Sequence, residues 1–255
     1  MQTYGLIGYP LGHSFSRGYF TDFFSREGLD AEYKNFELPS IEALAEVLET
    51  EATLQGFNVT IPYKLQVFPY LDELSEAAQA IGAVNVVKVI HKEGKRYLKG
   101  YNSDYIGFSD SIRPLLRPHH THALILGTGG ASKAVDYALR KLGLKTQYIS
   151  RTAREGILSY NDLTPELTAQ YTVIVNTTPL GMHPKMDECP PLDYSQITPH
   201  HLLYDVIYNP TKTLFLQHGE EHGATISNGM DMLIGQAKAA WQIWGHELIR
   251  TKRNK

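Results

Sequence analysis

The chain is poor in several things, and each shortage excludes a class of protein. It holds one cysteine, Cys189, among 255 residues. No intrachain disulfide can form, and neither a CxxC redox pair nor a cysteine-rich zinc site is available. A reducing compartment fits such a chain, and a cytoplasmic location is expected. Basic excess is missing as well: 24 Lys and Arg stand against 27 Asp and Glu, a net charge of −3. That leaves no surplus to neutralise a phosphate backbone, so no nucleic-acid partner is expected. No apolar run reaches the roughly 18 residues of a membrane span, and no membrane partner is expected. Met1–Gly8 has no basic stretch ahead of an apolar one and does not read as a signal peptide. Fixed-period repeats and low-complexity segments are absent too. What remains is an ordinary globular composition, 42% hydrophobic and 20% charged, on a chain long enough for one large domain or two small ones.

Residues 1–101 alternate short apolar runs with helical patterns, which predicts an α/β layer. Tyr4–Ile7, Glu32–Phe36 and Gly56–Thr60 read as strands. Arg17–Arg26 reads as a helix with Tyr19, Phe20, Phe23 and Phe24 on one face. Ser40 is expected to cap a helix whose inner face carries Ile41, Leu44, Ala45 and Leu48. Ala83–Ile90 and Arg96–Gly100 flank Lys92-Glu93-Gly94, a hairpin signal. From about Asn102 to Asn228 the texture changes. Ala123–Leu126, Lys145–Ser150, Val173–Asn176, Leu202–Ile207 and Ala224–Ser227 are strands apolar through their centres, as in a parallel sheet covered on both faces. Ser132–Leu142 is an intervening amphipathic helix. Together they predict a doubly wound parallel sheet. From Gly229 a long helix follows, with Leu233, Ala237, Ala240, Trp241, Trp244 and Leu248 at helical spacing. Its apolar face needs a partner, and the polar tail 250–255 is expected to fray. The expected division is 1–101, 102–228 and a terminal helix over 229–255.

The best local motif follows the Ala123–Leu126 strand: Gly127-Thr128-Gly129-Gly130-Ala131, and then a helix. Glycines allow a tight turn and close approach to a pyrophosphate, and the helix start offers unsatisfied N–H groups. Ser132 stands where the third glycine of the usual fingerprint would fall. The competing reading is a merely structural turn. The next strand ends Ile149-Ser150-Arg151-Thr152, with Arg154 close by. An NAD reader places an acid here to bond the ribose 2′-hydroxyl. None is present, and arginine is suited to a 2′-phosphate instead. NADP is therefore the expected cofactor, unless these are simply solvated arginines.

A second set of polar residues stands where packing does not ask for it. Asn58 and Thr60 alternate with Phe57 and Val59, so they face away from the apolar side of their strand. Lys64 follows one helical turn later. Asn85 lies inside the Ala83–Val89 strand, Asn102 and Asp104 open a helix, and Ser14 and Ser16 bracket Phe15. Taken singly, Asp104 is a possible helix cap and Ser14 a turn former. As a set they suit a polyhydroxylated substrate with a carboxylate.

His13-Ser14-Phe15-Ser16, Phe57 to Lys64, Gly82-Ala83-Val84-Asn85, Asn102-Ser103-Asp104, Gly127 to Ala131, Ser150-Arg151-Thr152 and Met232-Leu233-Ile234-Gly235-Gln236 resemble, in order and along nearly the whole chain, the signatures of the shikimate dehydrogenase family. The resemblance implies two α/β domains: an N-terminal substrate domain and a C-terminal Rossmann-type domain, with a deep cleft between them and the last helix returning to the first. It implies NADPH-dependent reduction of 3-dehydroshikimate to shikimate, in chorismate and aromatic amino-acid biosynthesis. It places Ser14, Ser16, Asn58, Thr60, Lys64, Asn85, Asp104, Tyr208 and Gln236 around shikimate. It places Gly127, Thr128, Gly129, Gly130, Ala131, Ser150, Arg151, Thr152 and Arg154 on NADP, with Val206 and Gly229 near the nicotinamide. Lys64 is the expected acid/base, oriented by Asp104, which also accepts a substrate hydroxyl. Ser14 and Ser16 are expected to donate to the substrate carboxylate.

The chain departs from the family where Arg17 and Tyr19-Phe20 replace its Pro and His-Asn, which affects the local loop and helix start. Ser150 replaces an adenosine-side Asn, and Asp231 replaces a glycine. Two histidine groups, His119-His120-Thr121-His122 and His200-His201, have no acid at ligand spacing, and no metal is expected. Small-molecule partners and a monomer or homodimer are expected. The rival readings are a quinate/shikimate dehydrogenase of mixed specificity, a non-catalytic NADP-binding sensor, and reductive chemistry on folate or glutamyl compounds.

Overall fold

A computed structural model describes residues 1–12 and 14–246; His13, Leu248 and 250–255, named above, lie outside the described residues. The chain forms two compact units, Met1–Ser103 with Ala237–Lys255, and Asp104–Gln236. Asn102 and Ser103 thus stay with the first unit, and the second boundary falls inside the last helix rather than at Gly229.

The first unit runs β1 (Gln2–Gly8), α1 (Phe15–Glu27), β2 (Ala31–Glu37), α2 (Leu44–Thr50), β3 (Leu54–Val59), the short helix α3 (Tyr63–Gln66), β4 (Glu73–Leu74), α4 (Glu76–Ile81), β5 (Val86–Lys92) and β6 (Lys95–Tyr101). These strands form a mixed sheet in the order β2-β1-β3-β5-β6-β4. The hairpin turn is Glu93-Gly94, with φ of +52° and +72°, the left-handed pair that suits a two-residue turn. The α2 region differs from expectation. A single 3₁₀ turn over Ile41–Ala43 precedes it, and Ser40 makes no side-chain cap. Ser40 engages the Glu42 carboxylate instead. The tighter turn rephases the helix, so Val47 is buried and Ala45 is exposed.

One face of this sheet packs Ile7, Leu44, Leu54, Phe57 and Val59 with the α2 residues. The other carries Tyr4, Phe20, Phe24, Tyr33, Trp241 and Trp244. Trp244 lies against Gly56, where an added Cβ would sit 2.3 Å from the indole, and its Nε1 donates to Val87 O at 3.0 Å. The terminal helix therefore finds its partner on the first sheet. Burying each such side chain contributes about 1.5–3 kcal/mol.

The second unit runs α5 (Asp104–Ile112), β7 (His122–Leu126), α6 (Gly130–Lys141), β8 (Lys145–Ser150), β9 (Ile157–Ser159), α7 (Pro165–Gln170), β10 (Val173–Asn176), β11 (Leu202–Asp205), α8 (Leu214–Glu221), β12 (Thr225–Ser227) and the start of α9 (Met230–Ile243), which belongs to the first unit from Ala237 on. Its sheet is parallel throughout, in the order β12-β11-β10-β7-β8-β9. The order reverses around β7, the switch point at which doubly wound sheets bind ligands. The short β9 and α7 carry too little periodicity to be expected from the sequence. Gly107 of α5 and Gly235 of α9 let two backbones touch; a Cβ on Gly107 would lie 2.4 Å from Met232 O. Among the described residues no helix is long and apolar enough to cross a membrane.

Candidate active site

In the second unit, the carboxyl ends of β7, β8 and β10 enclose a cavity of about 320 Å³ lined by Gly127, Thr128, Gly129, Ser150, Arg151, Tyr160, Thr177, Thr178, Pro179 and Leu180. Gly127 turns the chain out of β7 at φ +100°, with its N–H donating to Ile149 O at 2.8 Å. A Cβ there would press on Thr177 and Thr178 at 3.0 Å, so both conformation and space ask for glycine. Gly129 caps α6, and nothing lies within 4 Å of a Cβ on Gly129 or Gly130. Their lack of a side chain serves no internal packing and leaves the helix start open to a ligand. Ser132, in the third-glycine position, donates to Gly129 O at 2.6 Å and ties the turn from below.

Arg151 is exposed at the end of β8. Burial pushes the Tyr160 phenol up to about 12, against the lowering field of Arg151. Among the described residues no carboxylate lines the cavity, and a guanidinium is its one charged group. That donor set fits a nucleotide bearing a further phosphate. The cavity gathers five of the expected nucleotide residues: Gly127, Thr128, Gly129, Ser150 and Arg151. Gly130 and Ala131 belong to α6 beyond the lining, while Thr152 and Arg154 are exposed outside it. Arg154 pairs its backbone with Ile157 across a short bridge. Val206 and Gly229 also lie outside the lining but against each other, a Cβ on Gly229 falling 2.0 Å from Val206 O.

Sequence reasoning missed Tyr160 and Thr177 to Leu180. The signal available was Asn176-Thr177-Thr178-Pro179 directly after a strand. Asn176 Oδ1 accepts from Thr178 N at 3.0 Å and Thr178 Oγ1 at 2.7 Å, building the turn. Behind it Asp205, fully buried, accepts from Asn176 Nδ2 at 3.1 Å, Ile207 N at 3.0 Å and Thr213 Oγ1 at 2.6 Å.

In the first unit, Ser14 caps α1, its hydroxyl oxygen accepting from Arg17 N at 3.2 Å. The helix starts despite the departures at 17, 19 and 20. Tyr19 stacks between Phe15 and Phe23, and Phe20 stacks on Tyr33 at 4.8 Å. Asn58 is half-buried near the end of β3 and accepts from the Tyr33 hydroxyl at 2.7 Å. Thr60 N donates to Ile7 O at 2.9 Å, and Lys64 sits in α3 with its carbonyl accepting from Val84 N at 2.9 Å. Asn85 stands one residue before β5 rather than inside a strand. It is buried, with Nδ2 on Ser103 Oγ at 3.0 Å and Oδ1 accepting from Ser103 N at 2.6 Å. Asn102 is buried and donates to Ala83 O at 3.1 Å. Asp104, also buried, heads α5 in the second unit; Tyr208 is exposed after β11, and Gln236 is half-buried in α9. Asp231 is exposed in the first turn of α9.

The histidine groups are held by backbone. His119 and His120 both direct Nε2 at His200 O at 3.1 Å, and His201 Nε2 donates to Thr168 O at 3.0 Å.

Residues 6–87 match the family described as the shikimate dehydrogenase substrate binding domain. An NADP(+) shikimate dehydrogenase of Bacillus cereus strain AH187 is 37% identical over 262 residues, covering 95% of this chain and 92% of that protein. The crystal structure of shikimate 5-dehydrogenase from Thermus thermophilus, in complex with NADP(H) and shikimate, is 30% identical with a TM-score of 0.84, covering 97% of this chain and 95% of that one. Quinate dehydrogenase from Corynebacterium glutamicum, in complex with NAD, is 26% identical with a TM-score of 0.84, covering 96% of this chain and 93% of that one. The glycine turn, the arginine-ended strand and the polar set of the first sheet thus occur in one chain that is similar from end to end to these enzymes: it belongs to the shikimate dehydrogenase family.

Proposed function

We propose that this chain is an NADP-dependent shikimate dehydrogenase, an oxidoreductase that interconverts shikimate and 3-dehydroshikimate in chorismate and aromatic amino-acid biosynthesis. The observation that carries the cofactor choice is Arg151 at the mouth of a cavity without a carboxylate. The similarity of nearly the whole chain to a shikimate dehydrogenase carries the substrate.

NADP, when bound, supplies the hydride acceptor or donor. On this reading Gly127, Thr128, Gly129, Gly130 and Ala131 hold its pyrophosphate, and Ser150, Arg151, Thr152 and Arg154 its 2′-phosphorylated ribose. Val206 and Gly229 shape the nicotinamide end. Ser14 and Ser16, helped by Tyr208, receive the substrate carboxylate. Asn58, Thr60, Asn85 and Gln236 orient the ring hydroxyls. Lys64 takes the hydroxyl proton in oxidation and returns it in reduction, while Asp104 orients Lys64 and accepts a substrate hydroxyl. The partners are small molecules, and the lone cysteine suits a cytoplasmic enzyme, monomeric or homodimeric.

The test is NADPH formation by the purified protein with shikimate, with quinate and NAD as parallel arms. Turnover confined to shikimate with NADP is expected. The likeness to a quinate dehydrogenase supports one second reading, mixed quinate/shikimate specificity. Comparable rates with quinate, or with NAD, would favour it. A folded protein that binds NADP yet turns over no pair is a sensor, and the enzymatic reading falls.

A further inference from the structure

Tyr33 has no place in the site residues assigned above, yet its hydroxyl sits among them. It is buried on β2, its ring stacked on Phe20 at 4.8 Å. On the same sheet face, its hydroxyl reaches across β1 to Asn58 Oδ1 at 2.7 Å, with the Ser16 side chain near it. An amide oxygen only accepts, so Tyr33 donates to Asn58.

The consequence lies at Asn58. With Oδ1 committed to Tyr33, the amide cannot flip, and Nδ2 is the edge left to the site. One of its N–H groups lies 3.4 Å from Asn85 O, and the other is available to a ligand. We infer that Tyr33 is a positioning residue that fixes Asn58 as a hydrogen-bond donor, so that the site selects a substrate hydroxyl acting as acceptor at that point. This rests on the proposed reading that Asn58 contacts the substrate.

Tyr33→Phe keeps the stacked ring and removes the hydroxyl. The KM for shikimate is expected to rise roughly tenfold, as for a lost buried hydrogen bond, with kcat within about threefold and the KM for NADP unchanged. In an Asn58→Ala background, Tyr33→Phe should add nothing further, because it acts through Asn58. A packing role alone would instead leave the two effects to multiply. Asn58→Asp supplies a check that does not depend on how Tyr33→Phe folds: it keeps an acceptor for Tyr33 but loses the N–H, so its KM should rise as far as that of Asn58→Ala. An unchanged KM in Tyr33→Phe, multiplying effects in the double variant, or a wild-type KM in Asn58→Asp each overturns the inference. Wild-type protein that fails to oxidise shikimate overturns the functional reading first, and the inference with it.

Discussion

The two units assemble their candidate sites from different material. In the second, the backbone does the shaping: a glycine at φ +100°, an open helix start at Gly129, and strand ends that stop at one level. In the first, side chains do it. Tyr33 and Asn58 come from different strands and meet through a hydroxyl and an amide, with Ser16 of a third element near them. A backbone-built site needs glycine at a few positions and tolerates much else. A site built from side chains depends on each of them, so single substitutions there should cost most.

The largest effect is accordingly expected from Lys64→Ala. Loss of the proton-transfer group should lower kcat about 10²- to 10⁴-fold while leaving the KM for shikimate within a few-fold. Steady-state kinetics decide it, and a normal kcat with a raised KM would make Lys64 a binding residue. Arg151→Ala is the counterpart in the second unit, where one side chain does matter. Losing a charge-assisted contact to phosphate should raise the KM for NADP roughly 10- to 100-fold and leave that for NAD nearly alone. Equal losses for both cofactors would remove the 2′-phosphate from the argument.

Two glycines sharpen the contrast. Gly56 is packed, with Trp244 2.3 Å from an added Cβ, whereas Gly129 faces open space. Gly56→Ala should destabilise the fold by about 1–3 kcal/mol through overpacking, seen in denaturant unfolding. Gly129→Ala should hardly move the unfolding midpoint but raise the KM for NADP severalfold. If Gly129→Ala instead unfolds the protein with NADP affinity intact, the open helix start is structural and the division between the units fails.

The same division explains what the sequence disclosed. Gly127 to Ala131 and Ser150-Arg151 are contiguous, and flanking strand and helix patterns place them without tertiary knowledge. Apart from the short β4 and β9, the strands of both sheets were legible because their apolar periodicity is local. Tyr33 was not, since nothing in Ala31–Glu37 says that its hydroxyl crosses a neighbouring strand to Asn58. Tyr160 was missed for a like reason: it follows the short strand β9, too brief to show a period. The α2 register failed because one 3₁₀ turn shifts the helical phase without changing composition.

The smallest expected effect compares the two ends of the second sheet. At the amino ends of its strands His201 is neutral in one tautomer, with Nδ1 accepting from Thr198 N at 3.1 Å and Nε2 donating to Thr168 O at 3.0 Å. Burial holds its pKa below the ordinary 6.5. The folded state therefore binds fewer protons than the unfolded one as pH falls through that value. The stability His201 provides is fully present above about 6.5 and is lost below it. At the carboxyl end of β11, burial pushes Asp205 up to about 6 despite its hydrogen-bond donors. Its contribution has the opposite sign, present below the ordinary carboxylate range and lost as pH rises through about 6. Thermal melts from pH 7.5 to 5 should show the advantage of wild type over His201→Gln shrinking on acidification, by a few degrees at most. The advantage over Asp205→Asn should grow over the same range. If the two gaps move in the same direction, the buried groups do not titrate as their surroundings dictate, and the contrast between the two ends of the sheet is lost.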